Sequence, residues 1–332
     1  MANILWAIVF SMILSTNGFG QIASTTSLVG TVTDSHGASI AGAKVTAVNR
    51  GTRDTYNATT NYQGYYSVEF IRVGVYDLTV EQPGFQKITK AGIVVDINQA
   101  VRSDIELTVG ALSQSVTIEA VASSIKTDDA TVSEVISTRH VADLPLNGRD
   151  PLKLAAVTAG TISGLKASNG TPPGEDFIGA GTREIQNSIA LDGISIVNNL
   201  ITTTPTRPAI DAVQEVEVQT GTYSAQYGAY MGVHINVITK SGTNELHGSL
   251  VEFLRNDALD ARPYFLSPTA RVAPLRQNQF GFELDGPVII PKLYNGRNKT
   301  FFMGSYEGLR QIRQSAGIAT VMTPQMFQGN FS

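Results

Sequence analysis

The side chains that most often carry catalysis or bind metal ions are few and scattered in this sequence. Its four histidines are His36, His140, His234 and His247, and no two of them have the H-x-x-x-H spacing that places two rings on one face of a helix. The sequence contains no cysteine, which excludes disulfides and thiolate metal sites. It also contains no P-loop, dinucleotide-binding fingerprint or G-x-S-x-G motif. We therefore predict a protein that is not an enzyme, with no catalytic residue, no metal site and no cofactor.

A pair of carboxylates, Glu215 and Glu217, lies in a segment in which polar and apolar residues alternate. The same alternation returns a few residues later, with valine and isoleucine at every second position. A period of two is typical of strands with one buried face and one solvated face. The sequence thus predicts two strands, Glu215–Gln219 and Val233–Lys240, with the two carboxylates on the solvated side.

The composition favours strands and turns and gives no sign of nucleic-acid binding. The chain has 332 residues, enough for two or three domains, with a net charge of −4 and a pI of about 5.6. It therefore lacks the basic footprint of a nucleic-acid-binding protein. Charged residues make up only 16% of the chain and 31 residues are glycine, a balance that suits strands and turns better than helical bundles.

Residues 1–20 have the pattern of a signal peptide. Their apolar core, Ile4–Leu14, is shorter than the ~20 residues that a helix needs to span a bilayer, and the small residues Gly18 and Gly20 follow it. The alternative is a buried first strand or helix. No later segment reaches ~18 consecutive apolar residues, so contact with a membrane would require a β-barrel.

Residues 21–110 are predicted to form short strands separated by turns, at the spacing of about 8–12 residues that is typical of a β-sandwich. The expected strands are Leu28–Thr33, Ala43–Asn49, Gly64–Phe70, Val75–Glu81 and Val101–Val109. In the fourth of these, Tyr76, Leu78 and Val80 share one face. In the last, Ile105, Leu107 and Val109 do the same.

Four segments of this region resemble the carboxypeptidase regulatory-like domain: Val29–Val45, Thr59–Val68, Val73–Val80 and Pro83–Phe85. The resemblance implies a transthyretin-like, carbohydrate-binding-like β-sandwich. No aromatic platform with flanking carboxylates stands out, so we favour a spacer or a partner-docking role over sugar binding.

Residues 125–240 contain segments that resemble the plug domain of TonB-dependent outer-membrane receptors. These segments are Leu144–Asp150, Asn187–Ile194 and Val213–Gly248, the last of which continues into the position of the first barrel strand. The resemblance implies a mixed α+β plug domain over this part of the chain.

Two local signals in the same region can be interpreted without the family. Asp150 followed by Pro151 predicts the start of a helix, which Gly160 can end. Asp192 and Gly193 predict a chain reversal, because both residue types tolerate a positive φ. For Asp192 we prefer this turn chemistry to a catalytic or calcium-binding role.

Residues 111–124 are predicted to be a linker between the sandwich and the plug. By its position and its β-prone core the linker resembles a TonB box, the segment with which an energising partner pairs by strand addition. The candidate partner-binding residues are Ser115, Val116, Thr117, Ile118 and Glu119. The alternative, an edge strand of either neighbouring unit, stays open.

Residues 241–332 resemble the start of the barrel in Oar-like TonB-dependent receptors, on Glu245–Asn256, Arg276–Pro287 and Thr300–Arg310. In the second segment Phe280, Phe282 and Leu284 alternate with polar residues, as a lipid-facing strand requires. A transporter barrel has roughly 22 strands, and this region can supply about three or four strands of the ~9–11 residues that span a membrane. We therefore expect an incomplete transmembrane β-barrel and a chain that is a fragment of a receptor.

The resemblance implies a mainly β protein in the outer membrane of a Gram-negative bacterium, with the N-terminal domain in the periplasm. Its expected function is active uptake of an extracellular substrate, which the sequence leaves unresolved among oligosaccharide, siderophore and peptide. The expected partners are a TonB-type energising protein and outer-membrane lipid, with no nucleic acid. The alternative is a secreted or cell-surface β-sandwich adhesin or carbohydrate-binding protein.

Overall fold

The structure is a computed structural model. It describes residues 26–110, 115–119, 131–143, 149–163, 177–179, 181–183, 186–198, 204, 206–223, 227–228, 230–262, 264, 272–313 and 322–330. Several parts of the sequence lie outside these ranges: the predicted signal peptide, most of the linker on either side of 115–119, residues 144–148 of the first plug motif, and residues 164–176. Among the described residues, no helix is long and apolar enough to cross a membrane.

The N-terminal unit consists of two packed sheets. One sheet has the strand order β3-β2-β5-β6-β9, and in the other β1 lies between β4 and β7 and also pairs with β8. The strands are β1 Ser27–Asp34, β2 Lys44–Asn49, β3 Thr55–Thr59, β4 Tyr65–Glu69, β5 Gly74–Glu81, β6 Lys87–Val95, β7 Ala100–Arg102, β8 Ile105–Leu107 and β9 Ser115–Glu119.

The core of this sandwich forms where the sequence alternates most regularly. Tyr76, Leu78 and Val80 on β5 are fully buried and belong to one apolar cluster with residues of both sheets. The predicted shared face is therefore confirmed. Strands β3 and β6 were not predicted. Strand β3 is an edge strand whose residues are half-buried at best, so it lacks the strong apolar period from which a strand is recognised.

The prediction of one strand over Val101–Val109 is wrong. The segment is divided into β7 and β8, which pair in parallel with different parts of β1, at Ser27–Val29 and at Val32–Asp34. The division falls at Ser103, whose carbonyl accepts a hydrogen bond of 2.5 Å from the hydroxyl of the buried Tyr66. Gly30 allows this close approach, because a Cβ at that position would lie 2.2 Å from the Ser103 carbonyl oxygen. Val109, expected on the buried face, is 71% exposed.

The second unit is built on a sheet with the strand order β10-β15-β16-β13-β14, which we call the middle sheet. A separate pair, β11 and β12, lies beside it. The elements are β10 Val132–Ser137, an α-helix at Thr138–Asp143, a 3-10 helix at Pro151–Val157, β11 Thr161–Ser163, β12 Phe177–Gly179, β13 Ser188–Leu191, β14 Ile194–Ser195, a 3-10 helix at Ile210–Ala212, β15 Val213–Gly221 and β16 His234–Thr239.

The start of the helix and the chain reversal are confirmed in this unit, but the helix ends at Val157, before Gly160. Asp150 caps the 3-10 helix by accepting a hydrogen bond from Leu152 N, and Pro151 occupies its first position. Asp192 and Gly193 have φ values of 50° and 79° and connect β13 to β14. The Asp192 carboxylate also accepts hydrogen bonds from the backbone and hydroxyl of Thr239, so it ties the turn to β16.

The third unit is an antiparallel sheet of long strands with the order β17-β18-β21, which we call the long-strand sheet. A short hairpin of β19 and β20 interrupts it, and a helical turn follows. The elements are β17 His247–Asn256, β18 Leu275–Pro287, β19 Ile289–Ile290, β20 Tyr294–Asn295, β21 Phe301–Arg313 and a helix at Pro324–Phe327.

The alternation predicted for β18 is confirmed. Phe282 and Leu284 are 47% and 41% exposed, whereas Glu283 and Asp285 on the opposite face are 3% and 5% exposed. The strand therefore has an apolar outer face and a polar face that is covered by protein. On β21, Phe302 lies opposite Gly286 and Phe301 lies opposite Pro287, so the two phenylalanines fall on opposite faces of the sheet.

We predict that the sandwich folds on its own, because its apolar cluster is closed within the unit. A polypeptide of residues 21–120 should give β-type circular dichroism and a cooperative melt. In it, Leu78→Ala should lower the free energy of unfolding by about 2–5 kcal/mol, the usual cost of truncating a buried leucine. Tyr62→Ala is the control: its side chain is 82% exposed, and the change should stay within about 0.5 kcal/mol. A non-cooperative melt would contradict the prediction.

We also predict that residues 1–332 aggregate when expressed in water. The outer face of the long-strand sheet exposes large apolar side chains such as Leu250, Phe282 and Tyr306, and its outer strands offer open edges. A polypeptide that ends at Lys240 lacks this sheet and should remain soluble. Light scattering on the two proteins makes the comparison. Monodisperse behaviour of the longer chain, with no gain on shortening, would contradict the assignment of a lipid-facing sheet.

Candidate functional site

A buried arginine connects the middle unit to the long-strand sheet. Arg149 precedes the Asp150 cap and has a φ of 49°, a left-handed conformation that few non-glycine residues adopt. Its Nη2 lies 2.6 Å from Asp211 Oδ2, beside the second 3-10 helix. Its Nε lies 3.9 Å from Glu307 Oε2 on β21, and the guanidinium carbon lies 4.4 Å from the ring centre of Phe253 on β17. One side chain therefore joins three elements of two units.

The electrostatics of this contact are those of a partly buried ion pair. The Arg149, Asp211 and Glu307 side chains are only 11%, 14% and 19% exposed. Glu307 also accepts a hydrogen bond from Gln279 on β18. Among the described residues, neither Arg149 Nε nor Glu307 Oε2 has a hydrogen-bond partner. The Arg149–Glu307 ion pair is therefore looser than the Arg149–Asp211 pair, and together with the contact to Phe253 it crosses between the units.

A second ion pair crosses the same boundary. Lys240 follows β16, and its Nζ lies 3.3 Å from Glu283 Oε2, a carboxylate on the covered face of β18. Two residues later Gly242 has a φ of 76°, and a Cβ there would lie 2.7 Å from the Phe302 carbonyl oxygen. Glycine is required at this crossing because both the backbone conformation and the close approach exclude a side chain. The connection from β16 to β17 is thus fixed against the inner face of the long-strand sheet.

The candidate docking strand takes the position of an edge strand. Ser115–Glu119 is β9, which pairs in parallel with β6 at the end of the five-stranded sheet. Val116 and Ile118 are 43% and 50% exposed. This is one of the two alternatives that the sequence leaves open. Because β9 is the last strand in its sheet, an added strand could pair along its other edge.

The expectation that Glu215 and Glu217 face water is wrong. They are 7% and 1% exposed, and His234 and Asn236 on the neighbouring strand are also buried. Val216 and Val218 on the opposite face are fully buried as predicted. The period-two pattern correctly separates the faces of β15, but the sandwich covers the polar face through hydrogen bonds from Ile97 and Asn98. The sequence pattern has no information about such a neighbour.

Sequence reasoning also missed the arginine cluster. Arg149 lies inside the motif Leu144–Asp150, which was interpreted for its family resemblance and its helix start. Glu307 lies in the segment Thr300–Arg310, which the sequence analysis used only for its resemblance to the start of a barrel. The sequence does contain one sign of this cluster. Glu307 is adjacent to Tyr306, which faces outward, so its charge falls on the inward face of β21. Across the described residues, no group of three or more histidine or acidic side chains could hold a metal ion.

Comparison with known proteins gives family matches for the first and the third of these units. Residues 27–108 match the family model of the carboxypeptidase regulatory-like domain, and residues 238–332 match that of the outer membrane beta barrel domain. The TonB-dependent transporter Oar of Myxococcus xanthus is 25% identical over 289 residues, which is 83% of this chain and 27% of Oar. Most of the chain is thus similar to part of a TonB-dependent transporter.

A second protein, similar to this chain over a shorter stretch, is also named as TonB-dependent. The probable TonB-dependent siderophore receptor PirA of Acinetobacter baumannii is 35% identical over 95 residues, which is 27% of this chain and 11% of PirA. The crystal structure of PirA aligns with a TM-score of 0.34 at 24% identity over 47% of this chain and 22% of that one. The chain thus spans 27% of the length of Oar and 11% of that of PirA.

Removing the arginine should loosen the contact between the two units. Arg149→Ala leaves the Asp211 and Glu307 carboxylates partly buried without their cation, a change that costs about 3–5 kcal/mol where the pair is fully buried. Because these groups keep some exposure, we expect a loss near the lower end. Urea unfolding of the full chain in detergent micelles measures it.

Two further variants make this result specific. Arg149→Lys keeps the charge but loses the planar contacts to Asp211 and Phe253, so it should lie between alanine and wild type. Arg310→Ala removes an exposed arginine from β21 and should change the free energy of unfolding by less than about 0.5 kcal/mol. Equal effects of Arg149→Ala and Arg310→Ala would show that the cluster does not hold the units together.

Proposed function

We propose that this chain is part of a TonB-dependent outer-membrane transporter for an extracellular substrate. The observation that carries the proposal is the long-strand sheet, whose apolar face is exposed and whose polar face carries Glu283 and Glu307 against Lys240 and Arg149 of the middle unit. A barrel wall with lipid outside and a plug inside has this distribution of side chains. The match of residues 238–332 to an outer membrane beta barrel domain supports it, as does the similarity to Oar.

In this proposal the middle unit, residues 125–240, is the plug and residues 241–332 begin the wall. Opening the path for substrate requires the plug to move relative to the wall. The ion pairs Arg149–Glu307 and Lys240–Glu283 cross that boundary, so movement must separate them or carry them along. Their partial burial makes separation costly without input of energy. The cluster therefore holds the plug closed until a partner pulls on it.

The partner is a TonB-type energising protein that pairs with Ser115–Glu119 by strand addition. Three features support this site: its position before the plug, its place at a sheet edge, and the exposure of Val116 and Ile118. In this arrangement the sandwich lies in the periplasm, on the side from which the energising protein acts, and it serves as a spacer or docking module rather than as a sugar-binding module.

The substrate class is an oligosaccharide, a siderophore or a peptide. PirA is named as a siderophore receptor, and that name describes PirA. The relatives are named as a transporter and a receptor, which supports transport without catalysis. The alternative of a secreted or surface adhesin has no comparable support.

Cell fractionation tests the proposed location. The complete gene product should be found in the outer-membrane fraction and should migrate differently on gels before and after boiling, because a closed barrel resists unfolding by detergent. Recovery of the whole protein from the culture medium would instead support the adhesin alternative and overturn the proposal.

A proline in the docking strand should uncouple energy from binding. Val116→Pro removes a backbone N–H donor from β9 and resists addition of a strand. In the complete receptor we expect loss of energised uptake with binding of substrate at the cell surface unchanged. Uptake and surface binding of the same labelled substrate are measured in parallel.

The control for this variant is Val116→Thr, which keeps the N–H donor and a β-branched side chain and should retain uptake. Circular dichroism of the isolated sandwich with each substitution shows whether its fold is intact. Normal energised uptake by Val116→Pro would place the docking site outside Ser115–Glu119.

A further inference from the structure

The sandwich is docked on the middle sheet through buried carboxylates. The loop between β6 and β7, residues 96–99, lies over the polar face of β15. Ile97 N donates a hydrogen bond of 3.1 Å to Glu215 Oε2, and Asn98 Nδ2 donates one of 2.7 Å to Glu217 Oε2. The same Asn98 amide lies 3.0 Å from the hydroxyl of Tyr227. Each of the two carboxylates therefore accepts a hydrogen bond from the sandwich, and Glu217 accepts another from Gln219 of its own strand.

The donor side of this contact is held rigidly within the sandwich. Asn98 N donates to Thr26 Oγ1 at 2.9 Å, and Ser27 N donates to the Gln99 carbonyl at 2.9 Å. Ile97 is fully buried. Asn98 itself has a φ of 50°, a conformation that asparagine tolerates better than most residues. The loop therefore presents its two donors in fixed positions, and the docked geometry depends on their carboxylate acceptors.

The charges around Glu215 oppose its ionisation. Asp96 of the docked loop and Glu217 of the same strand are both acidic and disfavour a charged Glu215, whereas the hydrogen bond from Ile97 N favours it. On the adjacent strands, Glu215 pairs with Ile238 of β16 and with Ser137 of β10, neither of which is charged.

The histidine on the same face gives no compensating charge. His234 of β16 is buried between the rings of Tyr223 and Tyr227, at centroid distances of 4.4 and 5.0 Å. Burial lowers the pKa of His234 below its usual value, so its ring is neutral at neutral pH. Burial, followed by the charges of Asp96 and Glu217, raises the pKa of Glu215 to about 7.

We propose that Glu215 is a proton-controlled latch that docks the N-terminal sandwich on the middle sheet. The protonated carboxyl keeps an oxygen that accepts the Ile97 N–H bond and carries no charge against Asp96. The ionised carboxylate keeps the bond but brings a buried negative charge next to Asp96 and Glu217. Docking is therefore tight when Glu215 is protonated and weaker when it is ionised. The inference concerns the contact of the two units and holds whether or not the protein transports a substrate.

The direction of the pH dependence follows from the two states of Glu215. In the undocked state the side chain is in water and titrates near its ordinary value of 4.5. In the docked state its pKa is raised, to about 7. The stabilisation of docking that comes from protonation is fully present below about pH 4.5 and is lost as the pH rises through about 7. The sandwich should thus separate from the middle sheet on the alkaline side.

The test uses spin labels on the full chain in detergent micelles. Because the chain has no cysteine, cysteines introduced at Tyr62 and Val132 are labelled selectively. These positions are 82% and 58% exposed and lie in the sandwich and on β10. Pulsed electron paramagnetic resonance between pH 5 and pH 9 should give one narrow distance in acid and a broad distribution that predominates above about pH 7.

Three variants identify the group that titrates. Glu215→Gln mimics the protonated carboxyl and should remain docked at every pH. Asp96→Asn removes a neighbouring negative charge and should keep the units docked to higher pH than in the wild type, because ionised Glu215 then costs less to bury. Glu134→Gln, an exposed acid on β10, should titrate like the wild type. A distance that is constant from pH 5 to pH 9 in the wild type would overturn the proposal. So would a Glu215→Gln protein that titrates like the wild type.

Discussion

The middle sheet is covered on both of its faces, and the positions of the other two units depend on this constraint. On β15, Val216 and Val218 are fully buried in an apolar cluster, while Glu217 on the other face is 1% exposed. A sheet that buries polar side chains must provide partners for them, because an unsatisfied buried carboxylate costs several kcal/mol. The sandwich provides these partners through a loop that its own hydrogen bonds hold in place.

Polar contacts also determine how the middle unit meets the long-strand sheet. The long-strand sheet contributes Glu283 and Glu307, and the middle unit contributes Lys240 and Arg149. Buried ion pairs add little net stability compared with apolar packing, but they tolerate few alternative arrangements. Such contacts suit an interface that must be specific and must also be able to separate, whereas a large apolar interface would be harder to open.

The two polar interfaces differ in what can release them. Between the middle unit and the long-strand sheet, Glu307 and Glu283 are paired with Arg149 and Lys240. Opening this contact therefore requires a force that pulls the paired charges apart. Between the sandwich and the middle sheet, the acidic residues face amide donors and each other. A change of one proton alters the second interface and leaves the charges of the first unchanged. One chain thus combines a contact suited to force with a contact suited to pH.

The sequence by itself determined the elements whose signal is local. The period of two separated the faces of β5, β15 and β18 correctly, and the turn at Asp192 and the cap at Asp150 followed from the conformational preferences of those residues. The resemblance to known families placed the sandwich and the start of the barrel, which the family matches confirm. Weak signals failed: β3 and β6 were not predicted, and a continuous alternation concealed the division between β7 and β8.

Only the tertiary structure decided what covers each face. A period of two shows that Glu215 and Glu217 share a side, but whether that side meets water or protein depends on residues more than 100 positions away, at Ile97 and Asn98. The same holds for Arg149, whose partners come from three other elements. The sequence determines the charge and spacing of a residue, whereas long-range packing determines whether the residue contacts water. That exposure to water decides whether a carboxylate lies at the surface or acts as a latch.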